Sequence, residues 1–410
     1  MLDVRRALFR SGVTVGGMLR RLGLDGPRLD PDRLLARAED LAGSDVWGEP
    51  EPRTPLSHLV QDLEREAGLH LPGKIAARFD LLRMLTHRLR IEAAFVRDPG
   101  LLAAPITRPL FVVGMPRSGT TALHGLLARD PSRRAPSTWE VLYPIPRKAP
   151  TSADANRRRA RVARQLPWMD AMSPGFQRGH ALEAGEPQEC VNITAHSMES
   201  FQFQSMYRVP GYQAWLEPRS GVARYRYHRR FLQYLQRFDE PPRRWVLKAP
   251  AHLFDLGALL EVYPDAAIVQ THREPFEVVS SLASLTVNLR SAFSDAVDPF
   301  AAGRELMDRW AGALQNSLDF RDRLPDQSSF HDLRYADFMA DTTGAIEGIY
   351  RYFDLPWSDE FARRLRIYLD ERPQHRFGVH RHRLEDFGIA PDEVDARLAA
   401  YRDRFLGGAR

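Results

Sequence analysis

The chain has 410 residues, of which 43% are hydrophobic and 27% are charged, the balance of a folded globular protein rather than a disordered one. Its formal net charge is +5, but the arginines are scattered and not interleaved with aromatic residues in one short module, so we expect no nucleic-acid partner. No apolar run approaches the roughly 20 residues that span a bilayer, so we expect no integral membrane association.

A single cysteine, Cys190, excludes an internal disulfide, a zinc cluster of thiolates and an iron–sulfur site. A chain of this kind suits a reducing compartment, and we therefore expect a cytoplasmic protein. The sequence gives no indication of the oligomeric state.

Residues 1–105 have the pattern of a helical N-terminal extension. Its first segment, MLDVRRALFRSGVTVGGMLRRLGL, predicts an amphipathic helix that packs on the protein rather than on a membrane. Three further segments carry apolar residues at helical spacing: RLLARAEDLA, LSHLVQDLEREAGL and GKIAARFDLLRMLTHRLRIEAAFV. The proline-rich stretch GEPEPRTP separates the first two of these.

From Pro109 the pattern changes to short apolar strands that alternate with helices. Strands are predicted at 110–113, 245–248, 267–271 and 329–333, and a helix follows each. This alternation predicts an α/β domain over residues 106–410, with a central parallel sheet and flanking helices. Residues 132–244 do not follow the alternation and are expected to form a mainly helical insertion.

The stretch PLFVVGMPRSGTTALHGLLARDP contains a phosphate-binding pattern. Gly114 and Gly119 have the separation of a P-loop between a strand and a helix, where backbone N–H groups bind anions. Thr120 and Thr121 add hydroxyl donors. A nucleoside-triphosphate loop carries lysine at the position of Thr120, whereas the cation here stands earlier, at Arg117. The expected ligand group is therefore shorter than a triphosphate.

A second block, WVLKAPAHLFDLGALLEVYPDAAIVQTHREPFEVVSSLASL, completes a resemblance to sulfotransferases that use 3′-phosphoadenosine 5′-phosphosulfate (PAPS). In that family a strand ends in arginine and a serine follows eight positions later, and the pair clamps the 3′-phosphate. Arg273 and Ser281 have this spacing. The resemblance runs from about Pro109 to Asp354. It is closest to the bacterial members and, at the loop, to the tyrosylprotein branch.

The resemblance implies a P-loop-like α/β fold and transfer of a sulfonate group from PAPS to the hydroxyl of a small-molecule or lipid-like acceptor. It also implies that the 5′-phosphosulfate loop binds through five consecutive residues: Arg117, Ser118, Gly119, Thr120 and Thr121. Tyr335 matches a strand-end tyrosine that approaches adenine. Ala122 stands where cytosolic members often carry tryptophan, so the sequence does not identify what holds the adenine.

The resemblance further implies the catalytic groups. Arg117 and Lys248 are expected to neutralise charge on the leaving phosphate and the sulfonate. The acceptor hydroxyl needs a base, for which Glu140, 23 positions after Arg117, is the first choice and His180 the rival. His252 and Glu189 are weaker candidates that we interpret as structural. A basic stretch, Arg376–Arg383, is a candidate lid over the 3′-phosphate.

The sequence has two alternative interpretations. A P-loop kinase is disfavoured by Thr120 and by the absence of an apolar strand that ends in a magnesium-binding aspartate, since Lys248 follows WVL. A nucleotide-binding protein that has lost catalysis is disfavoured because Arg117, Glu140, Lys248, Arg273 and Ser281 are all present. We expect no metal, because arginine and lysine supply the countercharge and no carboxylate cluster lies near the loop.

The acceptor is indicated only by aromatic residues in the insertion, which is expected to form the acceptor side of the domain. Eight of them could line an apolar pocket and favour a lipid, polyketide or aromatic acceptor over a charged polysaccharide. The same residues could equally form a core. They are Trp139, Trp168, Phe176, Phe201, Phe203, Tyr207, Tyr212 and Trp215.

Overall fold

A computed structural model describes residues 2–22, 26, 28–147, 150–173, 183–239, 241–371 and 383–407. Its centre is a five-stranded sheet in which every neighbouring pair of strands is parallel, in the order β2-β3-β1-β4-β5. The strands are β1 (Leu110–Gly114), β2 (Arg133–Arg134), β3 (Arg244–Lys248), β4 (Ala267–His272) and β5 (Phe330–Arg334). The predicted parallel α/β architecture is confirmed, and β2 is an additional edge strand.

Among the residues described before β1, the structure has five helices: α1 (Leu2–Arg21), α2 (Pro31–Ala42), α3 (Arg53–Arg65), α4 (Leu71–Arg97) and α5 (Gly100–Ala103). Local signals set their ends. The Asp30 carboxylate accepts a hydrogen bond from the Arg33 N–H at 2.9 Å and caps α2. The Nδ1 atom of His70 accepts one from the Gly73 N–H at 2.9 Å and caps α4. The helical character predicted for this part of the chain is confirmed.

Fourteen α-helices follow in the described part of the chain after β1, with 3₁₀ turns at Ala195–Ser197, Pro250–Phe254 and Leu384–Phe387. They are α6 (Thr120–Leu127), α7 (Thr138–Leu142), α8 (Ser152–Met172), α9 (Cys190–Thr194), α10 (Gln202–Met206), α11 (Pro210–Leu216), α12 (Val222–Gln236), α13 (Leu256–Val262), α14 (Pro275–Ser291), α15 (Pro299–Asp322), α16 (Tyr335–Ala340), α17 (Thr342–Tyr352), α18 (Asp359–Glu371) and α19 (Pro391–Phe405). None of the described helices is both long and apolar enough to cross a membrane.

The sequence pattern predicts one continuous helix over residues 252–262 and another over residues 336–353, and the structure divides each of them at an aspartate. The carboxylate of Asp255 accepts a hydrogen bond from the Ala258 N–H at 3.0 Å, so α13 begins after a 3₁₀ turn. The carboxylate of Asp341 accepts one from the Gly344 N–H at 2.8 Å and starts α17. A capping aspartate stabilises a helix start, and apolar spacing alone does not reveal it.

The sheet is covered on both faces, as β1 shows. Leu110 and Val112 pack in one hydrophobic cluster with the leucines of α6, whereas Phe111 and Val113 belong to another cluster on the opposite face. A third cluster joins α2, α3 and α4 to residues 195–216 of the insertion. The N-terminal helices therefore share a core with the insertion, while the domain boundary between residues 105 and 106 stays a prediction.

We expect the protein to lose stability steeply as the pH falls below about 6.5, the usual pKa of an unfolded histidine. Burial lowers the pKa of His124, His196 and His228 to about 3. Near pH 5 these three histidines alone bind about three more protons in the unfolded chain than in the folded chain, and His87 and His252, whose pKa burial also lowers well below its usual value, add to this difference. The free energy of unfolding therefore falls on acidification. Its dependence on pH, measured by denaturant titration, should correspond to this proton uptake. A free energy that stays constant between about pH 7 and about pH 5 would contradict the prediction.

Candidate active site

The loop between β1 and α6 has a backbone that few residues tolerate. Gly114, Arg117 and Gly119 have φ angles of 137°, 71° and 91°. A Cβ atom at Gly119 would stand 2.9 Å from the Tyr335 ring, so both the φ angle and the neighbour require glycine. The Ser118 hydroxyl donates to the Met115 carbonyl at 2.6 Å and lies 2.6 Å from the Thr271 hydroxyl. These contacts fix the loop to the end of β4.

Lys248 stands at the carboxyl end of β3, next to this loop. Only 2% of its side chain is exposed, and its Nζ atom donates to the Thr121 hydroxyl at 3.0 Å. The same atom forms an ion pair with the carboxylate of Glu189. The ammonium group of Lys248 is buried beside the first turn of α6, so an anion bound at the loop would meet both the lysine and the helix N-terminus.

The side chains of Arg117, Arg273 and Ser281 come together on the other side of the loop. The Arg117 Nε–H donates to the Ser281 hydroxyl at 3.2 Å, and Arg273 donates to the Arg117 carbonyl at 2.8 Å. Burial, and then the nearby charge of Arg273, lowers the pKa of Arg117. Two neighbouring guanidinium groups are a suitable arrangement for binding an anion.

Arg273 also connects this cluster to an aromatic face. Its guanidinium donates to the Glu277 carboxylate at 2.6 and 2.9 Å, and it lies 4.1 Å from the centroid of the Tyr335 ring. The ring in turn packs against Gly119. The residues predicted to bind the nucleotide thus converge at the carboxyl end of the sheet, where parallel α/β folds bind ligands.

Glu140 is held by a different set of contacts. It is the third residue of α7, where its carboxylate accepts from the Ser137 N–H at 2.8 Å in a capping box and pairs with Arg134. Arg134 also lies near Asp239, at 3.8 Å, on the edge of the sheet. Both carboxylate oxygens therefore have structural partners. His180, Phe176 and residues 376–382 of the candidate lid lie outside the described residues.

Glu189, for which the sequence favours a structural role, pairs with Lys248 at the loop. The segment before it is held against α7: the N–H of Gln188 donates to the carbonyl of Pro136 at 2.8 Å, and that of Thr138 donates to the carbonyl of Glu186 at 2.9 Å. These bonds place Glu189 over the end of β3. No sequence pattern indicated this contact, because it joins two residues from segments with no common periodicity.

Several other candidates lie in the core. His252 is buried and its Nδ1 atom lies 2.7 Å from the Tyr225 hydroxyl, which fits the structural role expected of it. Phe203, Tyr207 and Tyr212 are buried in the cluster shared with the N-terminal helices. Phe203 and Tyr212 therefore belong to the core, whereas Tyr207 also borders a cavity beside Arg208 and Arg290. Within the described residues, no group of three or more His, Cys, Asp or Glu side chains could hold a metal ion.

Comparison with known proteins gives one consistent result. A model of the sulfotransferase family matches residues 109–359, which is more than half of the chain. A sequence relative from Mycobacterium bovis, omega-hydroxy-beta-dihydromenaquinone-9 sulfotransferase Stf3, is 27% identical over 326 residues, or 77% of each chain.

Two solved structures share the fold over nearly their whole length. Sulfotransferase STF1 from Mycobacterium tuberculosis has a TM-score of 0.79 and 33% identity, and the match covers 91% of this chain and 99% of that one. Sulfotransferase STF9 from Mycobacterium avium has a TM-score of 0.79 and 28% identity, with 91% and 96% covered.

Proposed function

The chain belongs to the sulfotransferase family, and we propose that it transfers a sulfonate group from PAPS to the hydroxyl of a lipid-like small molecule. One observation carries the choice of donor. Two separate basic clusters, Lys248 with the α6 start and Arg273 with Ser281, flank a loop that has no triphosphate lysine and that carries Arg117 instead. A nucleotide with phosphate at both its 5′ and 3′ positions matches two such clusters.

The residues present fit that donor. The loop from Gly114 to Thr121 would hold the 5′-phosphosulfate through backbone N–H groups and threonine hydroxyls. Arg273 and Ser281 would hold the 3′-phosphate, and the Tyr335 ring beside Arg273 would lie against the base or ribose. Arginine and lysine supply the countercharge, so we propose that no metal is required. We also propose a cytoplasmic location, because a chain with a single cysteine suits a reducing compartment.

The proposed reaction is an in-line transfer. The bond between sulfur and the bridging phosphate oxygen breaks, a bond between sulfur and the acceptor oxygen forms, and the hydroxyl proton passes to a base. Lys248 and Arg117 would neutralise the charge that develops on the departing oxygen. Glu140 and His180 stay predictions for the base. Its position beside the phosphate loop, where it pairs with Lys248, makes Glu189 a third candidate for that role, and we propose it as the base.

The acceptor class follows from the relatives and not from a described pocket. Stf3 is named for a hydroxylated menaquinone derivative, and this supports a hydroxylated lipid as the acceptor here. Incubation with PAPS labelled in the sulfonate group, against a panel of hydroxylated isoprenoid, polyketide and phenolic compounds, would identify it. Label found in the phenolic compounds and in no lipid would overturn the lipid assignment.

We expect Arg273→Ala to weaken binding of 3′-phosphoadenosine 5′-phosphate (PAP) about 100-fold, because a charge-assisted contact to the 3′-phosphate is lost. Adenosine 5′-phosphate, which lacks that group, should bind both proteins equally. Calorimetric titration in EDTA measures both affinities. Arg397→Ala is the matched control, since Arg397 also pairs with a glutamate four positions away and lies on α19.

The same titration tests the donor assignment as a whole. Binding of PAP in EDTA that falls when the 3′-phosphate is removed would support a PAPS-dependent sulfotransferase. Preference for ATP, or binding only with magnesium, would overturn it in favour of a kinase. An equal loss of PAP affinity in Arg397→Ala would show that the effect of Arg273→Ala is not specific to the 3′-phosphate.

A further inference from the structure

Helix α1 presents a row of apolar side chains to solvent. Each of the five is at least half exposed, and their spacings of four, seven, three and four positions place them on one side of the helix. They are Val4, Leu8, Val15, Met18 and, directly after the helix, Leu22. We call these five side chains the α1 stripe.

The opposite side of α1 attaches the helix to the protein. A Cβ atom at Gly16 would stand 2.6 Å from the Cβ atom of Leu71, so the two helices approach closely there. Phe9 packs edge-on against His70, with ring centroids 5.4 Å apart. Arg20 donates to the Leu69 carbonyl at 2.6 Å. The helix packs on the protein as predicted, and it does so by the side that leaves the α1 stripe outside.

A row of exposed side chains on α8 ends beside α1. Its members recur at spacings of four, three and four positions, so they lie on one side of α8: Arg157, Arg161, Arg164 and Trp168. The guanidinium of Arg5 on α1 lies 5.7 Å from the centroid of the Trp168 ring. Arg6 donates to the Asp170 carboxylate at 3.4 Å. We call these four side chains the α8 row, and it continues the surface of α1 with positive charge.

The charge on this surface selects among possible partners. Residues 2–22 contain five arginines against one aspartate, and α8 contains five arginines against two aspartates. An apolar stripe with flanking arginines and an exposed tryptophan is typical of a helix that lies in the interface of a bilayer with anionic lipids. A second copy of the chain would bring the same arginines face to face, and their repulsion opposes self-association here.

We propose that the α1 stripe and the α8 row dock the protein on the surface of an anionic lipid bilayer. The stripe enters the boundary between headgroups and acyl chains, and the arginines of the α8 row meet the headgroup phosphates. Packing on the protein and contact with lipid are not alternatives for α1, because they use opposite sides of the helix. The proposal depends only on the exposed side chains of the α1 stripe and the α8 row, and it does not depend on the identity of the acceptor.

Co-sedimentation of the full chain with vesicles tests the proposal. We expect binding to mixed phosphatidylglycerol and phosphatidylcholine vesicles, little binding to phosphatidylcholine alone, and weakening with added salt. The double variant Leu8→Gln/Met18→Gln should bind mixed vesicles at least about tenfold more weakly, since two apolar side chains leave the lipid boundary. Arg157→Gln/Arg164→Gln should lose the preference for anionic lipid. Ile367→Gln, an exposed apolar position on α18, should bind as the unmodified protein does.

Three results would overturn the proposal: equal binding to both vesicle types, unchanged binding by both double variants, or a dimer in light scattering that Leu8→Gln/Met18→Gln separates. The last result would assign the α1 stripe to a second copy. Circular dichroism verifies that the variants fold, and the salt dependence of the unmodified protein needs no variant at all. Affinity for PAP should be the same in every variant, so failure of this inference and failure of the proposed function are distinguishable.

Discussion

Replacing Lys248 with methionine is expected to lower kcat by about 10³-fold, whereas the affinity for PAP falls only about tenfold. Methionine keeps the length of the side chain and removes its charge. The charge on the bridging oxygen grows as the sulfonate departs, so the ammonium group is attracted more strongly to the transition state than to the bound nucleotide. A loss of this size corresponds to about 4 kcal/mol.

The position of Lys248 supports so large an effect. Its side chain is only 2% exposed and its Nζ atom lies 3.0 Å from the Thr121 hydroxyl in the phosphate loop. Water is largely excluded there, so a single charge acts through a lower effective dielectric constant than it would at the surface. The contact with Thr121 therefore supports a role for Lys248 at the phosphate loop beyond ending strand β3.

Loss of the charge also leaves the carboxylate of Glu189 without its lysine, which is expected to destabilise the fold by a few kcal/mol. Turnover should therefore be measured well below the melting temperature, together with the double variant Lys248→Met/Glu189→Gln. The double variant should regain stability without regaining turnover. Lys74→Met is a matched control, because Lys74 and Glu64 form a similarly shielded pair on the N-terminal helices.

A Lys248→Met enzyme that keeps kcat within about tenfold of the unmodified protein would remove Lys248 from the transition state. Lys74→Met should retain full turnover with some loss of stability. If Lys74→Met also lost kcat by about 10³-fold, a general weakening of the fold would explain both variants.

The sheet and the nucleotide residues could be predicted from sequence because their signals are local. Buried parallel strands appear as short apolar runs, and the glycines of the loop stand at fixed offsets between a strand and a helix. Arg273 and Ser281 lie eight positions apart on a strand end and the helix that follows, so their approach needs no knowledge of the rest of the fold. Strand β2 has two residues, too few for a periodic pattern.

The contacts of the carboxylates could not be predicted in this way. Glu140 and Glu189 lie in an insertion without regular alternation, and what each touches depends on how the insertion folds over β3. The sequence also does not show which aromatic residues of the insertion form the core and which line a pocket, because this too depends on how the insertion folds. Phe203 and Tyr212 pack against helices more than 100 positions earlier in the chain. Single-sequence patterns carry little information about such distant contacts.

Glu189→Gln is expected to lower kcat by at least about 100-fold with PAP affinity nearly unchanged, because we propose that this carboxylate accepts the proton of the acceptor hydroxyl. Glutamine preserves the shape and a hydrogen bond to Lys248 but cannot take up the proton. Binding of an anionic donor beside Lys248 would share the lysine between phosphate and carboxylate. The carboxylate would then be available to the acceptor, and the measurement is kcat with the acceptor found by the labelled-PAPS screen.

The pH dependence of kcat separates a base from a residue that only positions Lys248. In the unmodified enzyme kcat should rise with pH through the pKa of the base and then level off, and Glu189→Gln should remove that rise. If Glu189 only holds Lys248, the rise should remain while kcat falls by less than about tenfold. Glu64→Gln, which disturbs the similar pair with Lys74, controls for loss of an ion pair.

We expect Glu140→Gln, in contrast to Glu189→Gln, to leave kcat nearly unchanged. Glu140 accepts the capping-box bond from Ser137 and pairs with Arg134, so its replacement should lower the melting temperature while kcat stays within about threefold. Loss of kcat in Glu140→Gln with full turnover in Glu189→Gln would instead establish the first choice made from sequence. Turnover that survives both changes and is abolished by His180→Ala would assign the base to the histidine, and in that case Glu189 acts on the reaction only through Lys248.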